Sequence, residues 1–179
     1  MDERHIPAVG EKRDDVERIA KALGITAGDI RDDLPIQSVS TGFPFVMVPI
    51  RTLDALGKCF SNAAPIAALF KPGEQSPLLY MFVANEAGEF SARSRMFAPN
   101  DGIPEDPATG SAAAPFGAYA ATYGLINPAP RSSFLIHQGV EMGRPSEIRV
   151  EVARKDSGAF AIRIGGRCAI VGSGEFTLD

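Results

Sequence analysis

The clearest helical pattern in the chain lies in residues 13–24. Four apolar side chains recur there at positions i, i+3, i+4 and i+7: Val16, Ile19, Ala20 and Leu23. This spacing places them on one face of a helix. Gly24 follows them, and glycine is typical of the left-handed position that ends a helix. The pattern therefore predicts one amphipathic helix that stops at Gly24.

Residues 35–51 show a β-rich pattern interrupted by proline. Pro44 and Pro49 flank the most apolar run of this segment. Because proline lacks a backbone donor, we expect this run to lie at a sheet edge or at a bend. Thr52 suits the cap of a short helix, and residues 62–70 predict another short helix.

Apolar runs also predict most of the other strands, and the last third of the chain is almost entirely β. The predicted strands lie at residues 78–84, 90–97, 134–136, 148–152, 159–164, 168–171 and 176–178. The pair Gly165-Gly166 has the length and composition of a two-residue hairpin turn. Residues 98–107 are rich in Pro, Asn, Asp and Gly, which predicts a loop.

An alanine-rich segment at residues 108–123 predicts a helix that ends before Gly124. Its side chains are small enough for the helix to be enclosed almost all round. Pro115 removes a backbone donor inside it and should kink it. The pattern as a whole indicates an α+β fold, in which a curled and mostly antiparallel sheet wraps around this central helix.

Composition excludes several classes of function. The 179 residues carry 18 Lys and Arg against 22 Asp and Glu, a net charge of −4, so we expect no nucleic-acid or membrane partner. With two histidines and no C-x-x-C, a metal site is not expected. Cys59 and Cys168 lie in apolar runs and are interpreted as buried thiols. The polar N-terminus lacks a signal-peptide pattern, which favours a cytoplasmic location.

The densest candidate chemistry lies where the loop meets the alanine-rich helix. Glu105 and Asp106 precede a first helical turn that contains Thr109, Gly110 and Ser111. Free amides at a helix start favour an anion, so this turn is a candidate seat for a substrate carboxylate. Asp106 or Glu105 would then stand beside the carbon next to that carboxylate, as a proton acceptor or donor. The alternative is that Asp106 only caps the helix.

Three segments resemble the phenazine-biosynthesis PhzF-like isomerase family. The first is Glu105-Asp106-Pro107-Ala108-Thr109-Gly110-Ser111-Ala112, preceded by Arg95-Met96-Phe97-Ala98-Pro99. The others are Ser40-Thr41-Gly42-Phe43-Pro44-Phe45 and Gln138-Gly139-Val140-Glu141-Met142-Gly143-Arg144-Pro145-Ser146. The resemblance covers residues 13–179 and includes the order and spacing of the segments.

The resemblance implies a diaminopimelate-epimerase-like fold and a reaction without a cofactor. In such proteins two similar domains flank an active site, where acids and bases move a proton on a small carboxylate-bearing substrate. By the resemblance, Asp106 would be an acid/base residue of this half, and Gly110 and Ser111 would contact the substrate. The carboxylate seat proposed at the helix start adds Thr109 to the substrate-binding residues. Residues 13–179 resemble the second domain, and residues 1–12 resemble the end of a first domain that supplies the family's principal catalytic glutamate. We therefore expect a homodimer, or a separate chain that supplies the first half.

Two other functions remain open on the sequence. A half without catalysis would bind a small anion or serve assembly, and would keep the anion seat only. A hydrolase would use Ser111 as nucleophile with His137, but the chain lacks the G-x-S-x-G elbow of such enzymes. Arg93 and Arg95 are interpreted as structural, paired with Glu105 or with backbone carbonyls.

Overall fold

One mixed β-sheet organises the part of the chain that the computed structural model describes, which is residues 7–71, 78–85, 87 and 89–177. Its strands are β1 Ala8–Arg13, β2 Ile36–Ser40, β3 Pro44–Pro49, β4 Leu78–Asn85, β5 Ser91–Ala98, β6 Ile103–Asp106, β7 Arg131–Gln138, β8 Ser146–Arg154 and β9 Phe160–Gly166. The helices of this part are α1 Val16–Leu23, α2 Leu53–Lys58, α3 Ala63–Ala67 and α4 Gly110–Thr122.

The strand order across the sheet is β1-β2-β3-β4-β5-β7-β8-β9, and β6 pairs with β5 outside this path. Only the β3–β4 and β5–β7 pairs are parallel among the described strands, and the others are antiparallel. This arrangement confirms the predicted α+β class with a mostly antiparallel sheet.

Helix α4 is buried along nearly its whole length. Every residue from 112 to 121 is buried, and the helix contacts β2 and β3 on one side and β8 and β9 on the other. The ring of Phe116 packs against Tyr80, Phe82 and Phe134. The predicted central helix and its end before Gly124, which has a φ of +73°, are therefore confirmed. The helix continues through Pro115 as one element.

A second apolar core lies on the opposite face of β3 and β4. Phe45 and Met47 of β3 face the core around α4, whereas Val46 and Val48 face a core formed with α1 and α2. Strand β3 therefore lies inside the sheet, and its prediction as an edge strand is wrong. Its prolines stand at its first and last positions, where the strand pairing tolerates a missing donor.

The elements after β8 differ from their prediction. Gly165 and Gly166 do not form a hairpin turn, because they are the last residues of β9 and pair with Arg149 and Ile148. Residues 167–177 form no strand, since the sheet path ends at β9, so the predicted strand at 168–171 is wrong. The same holds for residues 176 and 177, and residue 178 lies outside the described part. Cys168 is exposed, in contrast to its expected burial, while Cys59 is buried as predicted.

Replacing Gly117 of α4 tests how tightly the sheet encloses this helix. A Cβ atom there would lie 2.9 Å from Val150 Cγ1 and 3.1 Å from Val152 Cγ2. We expect Gly117→Ala to lower the free energy of unfolding by about 1–2 kcal/mol in urea denaturation, because overpacking outweighs the helix preference of alanine. Gly57→Ala in α2 is the matched control. Nothing lies within 4 Å of its Cβ position, so it should stabilise by up to about 1 kcal/mol. Equal effects would contradict the tight enclosure.

Candidate functional site

Two strands share one edge of β5, and the candidate site begins where they meet. Ser91 to Ser94 pair with Leu135 to Gln138 of β7, whereas Met96 pairs with Asp106 of β6. Gln138 and Asp106 therefore end their strands opposite positions of β5 that are two residues apart. The sheet pairing alone thus brings these two residues, which are distant in sequence, next to each other.

The side chain of Gln138 connects β7 to the loop between β6 and α4. Its Nε2 donates to the carbonyl of Asp106 at 2.7 Å and to Thr109 Oγ1 at 2.8 Å. Its Oε1 accepts from the backbone amide of Thr109 at 3.2 Å. Gln138 is fully buried and Thr109 is 5% exposed. We call these three hydrogen bonds the Gln138 bridge, which holds the start of α4 against the end of β7.

Asp106 is half-buried and does not cap the helix. Its Oδ2 accepts a hydrogen bond of 2.6 Å from the hydroxyl of Thr109. Thr109 itself is the N-cap residue of α4, and its side chain makes no capping bond to the helix. The alternative that Asp106 is only a helix cap therefore lacks the expected contact. The carboxylate is tied instead to the residue that starts the helix.

The loop after β7 packs against the segment that connects β6 to α4. The hydroxyl of Ser146 donates to the carbonyl of Pro107 at 2.5 Å. Gly139 has a φ of +75°, and a Cβ atom there would lie 2.3 Å from the carbonyl oxygen of Arg144 and 2.8 Å from that of Pro107. Only glycine allows so close an approach of the two backbones. The side chain of Arg144 is exposed and is not among the residues that line the pocket beside the site.

Arg95 of β5 binds the side chain of Glu105 in β6. It forms a two-pronged ion pair with Glu105 at 2.8 and 2.7 Å, and it donates to the carbonyls of Leu56 and Cys59 at the end of α2. The predicted structural role of Arg95 is thereby confirmed. Burial in this region also raises the pKa of the Cys59 thiol to about 12, so the thiol stays protonated at neutral pH.

An open pocket of about 700 Å³ lies at the start of α4. Gly110 and Ser111 line it, and their amides belong to the first turn, where no backbone partner is available within the helix. Thr41 also lines it, is 7% exposed, and its hydroxyl has no hydrogen-bond partner in the described part of the chain. The lining of the pocket thus includes two residues of the first helical turn and one nearly buried threonine.

The walls of this pocket are mostly apolar. Phe43 stands at its rim with 63% of its surface exposed, and Ile148 and Ile164 lie along β8 and β9. Glu147 and Arg167 add one charge of each sign. Such a cavity, apolar with a few converging polar groups, is typical of small-molecule sites. Asp106 lies beside the pocket, because Ala108 and Gly110 line it and Asp106 does not.

Of the four residues proposed from sequence, two line the pocket, and Asp106 and Thr109 lie beside it. Gly110 and Ser111 open onto it, while the amide and hydroxyl of Thr109 are both used in internal hydrogen bonds. Gln138 and Thr41 were missed as site residues, although both lie in segments that carried the family resemblance. The sequence feature that could have identified them is a polar residue at the end of an apolar strand for Gln138, and one in a tight turn for Thr41. No hydrogen bond between Ser111 and His137 occurs among the described contacts.

The described residues contain neither a helix suited to cross a membrane nor a cluster of metal ligands. No helix in this part of the chain is long and apolar enough to cross a membrane. Within residues 7–71, 78–85, 87 and 89–177, no group of three or more His, Cys, Asp or Glu side chains is arranged to hold a metal ion.

Comparison with known proteins identifies consistent relatives. The PhzC-PhzF family, described as phenazine biosynthesis-like protein, matches residues 2–174. An uncharacterized isomerase of Clostridium acetobutylicum is 33% identical over 171 residues, covering 95% of this chain and 56% of that protein. A Deinococcus radiodurans isomerase, also uncharacterized, is 36% identical over 172 residues, covering 93% and 54%. The chain thus spans little more than half the length of these relatives.

Solved structures agree with this fold. The crystal structure of a PhzF-family phenazine biosynthesis protein of Bacillus anthracis superposes with a TM-score of 0.80 at 25% identity, covering 90% of this chain and 55% of the other. A predicted epimerase from Pseudomonas aeruginosa has a TM-score of 0.67 at 29% identity, covering 97% and 58%. These matches confirm the fold expected from the resemblance.

Gly139→Ala tests whether the loop after β7 holds the site in place. Gly139 and Gly143 both have positive φ angles, of +75° and +68°, so alanine is strained at either position by about 1–2 kcal/mol. Only at Gly139 would the new Cβ atom clash with the backbones of Arg144 and Pro107. We expect Gly139→Ala to lower the free energy of unfolding further than Gly143→Ala and to speed hydrogen exchange at the Thr109 amide. Equal effects of the two variants would contradict this account.

Proposed function

This chain belongs to the phenazine biosynthesis-like protein family, and from that premise we propose that it acts as an isomerase that moves a proton on a small carboxylate-bearing substrate. Its curated relatives carry the name isomerase, which supports this reaction class at the level of the family. Asp106 is proposed as the acid/base residue, and the first turn of α4 as the seat of the substrate carboxylate.

One observation carries this proposal: the carboxylate of Asp106 is tied through Thr109 to the start of a helix whose next two residues, Gly110 and Ser111, line an apolar pocket. A bound carboxylate would accept hydrogen bonds from the amides of Gly110 and Ser111, where the helix dipole also favours negative charge. The unpartnered hydroxyl of Thr41 is a further donor at the same pocket.

The proposed reaction is a proton transfer at carbon. The C–H bond near the substrate carboxylate breaks, Asp106 accepts the proton, and the electron pair delocalises towards the carboxylate. The two amides then stabilise the added negative charge, as an oxyanion hole does. Return of the proton to another carbon, or to the opposite face of the same carbon, completes an isomerisation or an epimerisation.

A transfer between two faces of a carbon needs a second proton-carrying group. The chain spans 56% and 54% of two curated relatives, so we propose that a first-half domain, in the same or another chain, supplies this group. The homodimer expected from the sequence stays a prediction. In the non-catalytic alternative, the pocket binds a small anion and no proton is exchanged.

Replacing Asp106 by Asn tests the acid/base assignment. The amide keeps an oxygen that can accept from the Thr109 hydroxyl, so we expect the free energy of unfolding to change by at most ~1–2 kcal/mol. Deuterium incorporation from D2O into a panel of D- and L-amino acids and unsaturated cyclic carboxylic acids, followed by NMR, should fall to background. Asp101→Asn is the control, because Asp101 is exposed and ahead of β6. A fully active Asp106→Asn variant would contradict the acid/base role of Asp106.

Titration with acetate or sulfate tests the proposed carboxylate seat separately from catalysis. We expect millimolar anion to shift the amide resonances of Gly110 and Ser111 in the ¹H–¹⁵N spectrum, because those amides lack backbone partners. The amide of Gly57, which lies inside α2, is the control and should not move. Shifts at Gly110 and Ser111 together with no deuterium exchange would support the anion-binding alternative. An absence of shifts would count against the seat.

A further inference from the structure

We propose that Gln138 is a positioning residue, which fixes the direction of the Thr109 hydroxyl and, through it, the orientation of the Asp106 carboxylate. The catalytic consequence of this proposal rests on the proposed function of Asp106. The hydrogen-bond direction itself is a property of the folded chain and holds whatever the substrate.

The direction of the Gln138 bridge follows from two backbone groups. The amide of Thr109 can only donate, so the Gln138 atom that faces it at 3.2 Å has to be the oxygen Oε1. The carbonyl of Asp106 can only accept, so the atom that faces it at 2.7 Å has to be the nitrogen Nε2. Rotating the side-chain amide by half a turn would oppose two donors at one contact and two acceptors at the other. The backbone therefore permits one orientation of Gln138.

This orientation decides where the hydroxyl proton of Thr109 goes. Nε2 of Gln138 also lies 2.8 Å from Thr109 Oγ1 and has hydrogens only to donate, so Oγ1 accepts at that contact. The single hydroxyl hydrogen is then left for Asp106 Oδ2, at 2.6 Å. The chain of hydrogen bonds thus runs in one direction, from the amide of Gln138 through Thr109 to the carboxylate of Asp106.

This series of hydrogen bonds makes the two oxygens of the Asp106 carboxylate inequivalent. Oδ2 is held as an acceptor, whereas Oδ1 makes no hydrogen bond to any described residue. Oδ1 is therefore the oxygen that is free to take a proton from a ligand. Because Gln138 is fully buried and Thr109 nearly so, water does not compete for these groups and the arrangement is rigid.

The chain contains a matched control glutamine. Gln37 is also buried, at 5% exposure, and its Nε2 donates to a backbone carbonyl, that of Gly10, at 2.6 Å. Its Oε1 accepts from the hydroxyl of Tyr123. It joins β2, β1 and the end of α4, and none of its hydrogen bonds in the described part of the chain goes to an acidic side chain. Replacing Gln37 therefore reproduces the loss of a buried amide without altering Asp106.

The structural arm of the test needs no substrate. A neutron diffraction map of the wild-type chain, with exchangeable positions deuterated, should place the deuteron of Thr109 on the line from Oγ1 to Asp106 Oδ2. A crystal structure of Thr109→Val should show the Asp106 carboxylate rotated, while Thr109→Ser should keep its wild-type orientation. A deuteron directed at Gln138, or an unmoved carboxylate in Thr109→Val, would overturn the proposal.

The functional arm compares Gln138→Glu with Gln37→Glu in deuterium exchange of the amino acids and cyclic acids named above. Glutamate has the same shape, but even when burial keeps it protonated it has one hydrogen where Gln138 donates two. The carbonyl of Asp106 takes that hydrogen, so nothing holds the Thr109 hydroxyl towards Asp106 any longer. We expect Gln138→Glu to lower kcat about tenfold or more with KM unchanged, and Gln37→Glu to leave both unchanged. An equal loss of kcat in the two variants would indicate that Gln138 has only a structural role. If the wild type shows no exchange, the proposed function fails, and the neutron map still decides the hydroxyl direction.

Discussion

The division of one strand edge determines the arrangement of the site. A backbone position can pair with only one neighbour on each side, so β5 gives the first half of its free edge to β7 and the second half to β6. The ends of these two partners therefore meet. The chain leaves the end of β6 at Asp106 and turns directly into α4, and the end of β7 delivers Gln138 to the same point. The Gln138 bridge connects the end of β7 to the segment between β6 and α4 at the point where the two strands meet.

Packing of α4 explains why its first turn is available to a ligand. The small side chains of residues 112–121 let the sheet contact the helix on several sides, and its aromatic ring Phe116 fills the space towards β4. The helix packs closely against β8, since a Cβ atom on Gly117 would lie 2.9 Å from Val150 Cγ1. Its start is therefore fixed at the opening of the sheet, next to the pocket. Apolar cores cover both faces of β3 and β4.

Local patterns predicted much of this fold, and their failures have one common cause. The helix ends at Gly24 and Gly124 and the strands β4, β5, β7 and β8 all depend on residues close in sequence. The strand proposed at 168–171 failed because a strand needs a partner, and the sheet path ends at β9. Strand β3 was expected at an edge or a bend because its two prolines lack a backbone donor. Its apolar residues on both faces instead place it inside the sheet. Strand β6 lies in a segment whose composition is that of a loop.

The sequence by itself determined the family, the α+β class, the buried central helix and the segment from Asp106 to Ser111 as the place of interest. These depend on short contiguous runs, in which spacing and residue type are sufficient. The tertiary structure decided which residues of that segment are accessible and which are already bonded. Gly110 and Ser111 line a pocket, whereas the amide and hydroxyl of Thr109 both form internal hydrogen bonds. It also brought in Gln138, 29 residues beyond Thr109. Strand pairing creates that contact, and no local pattern encodes which strands share an edge.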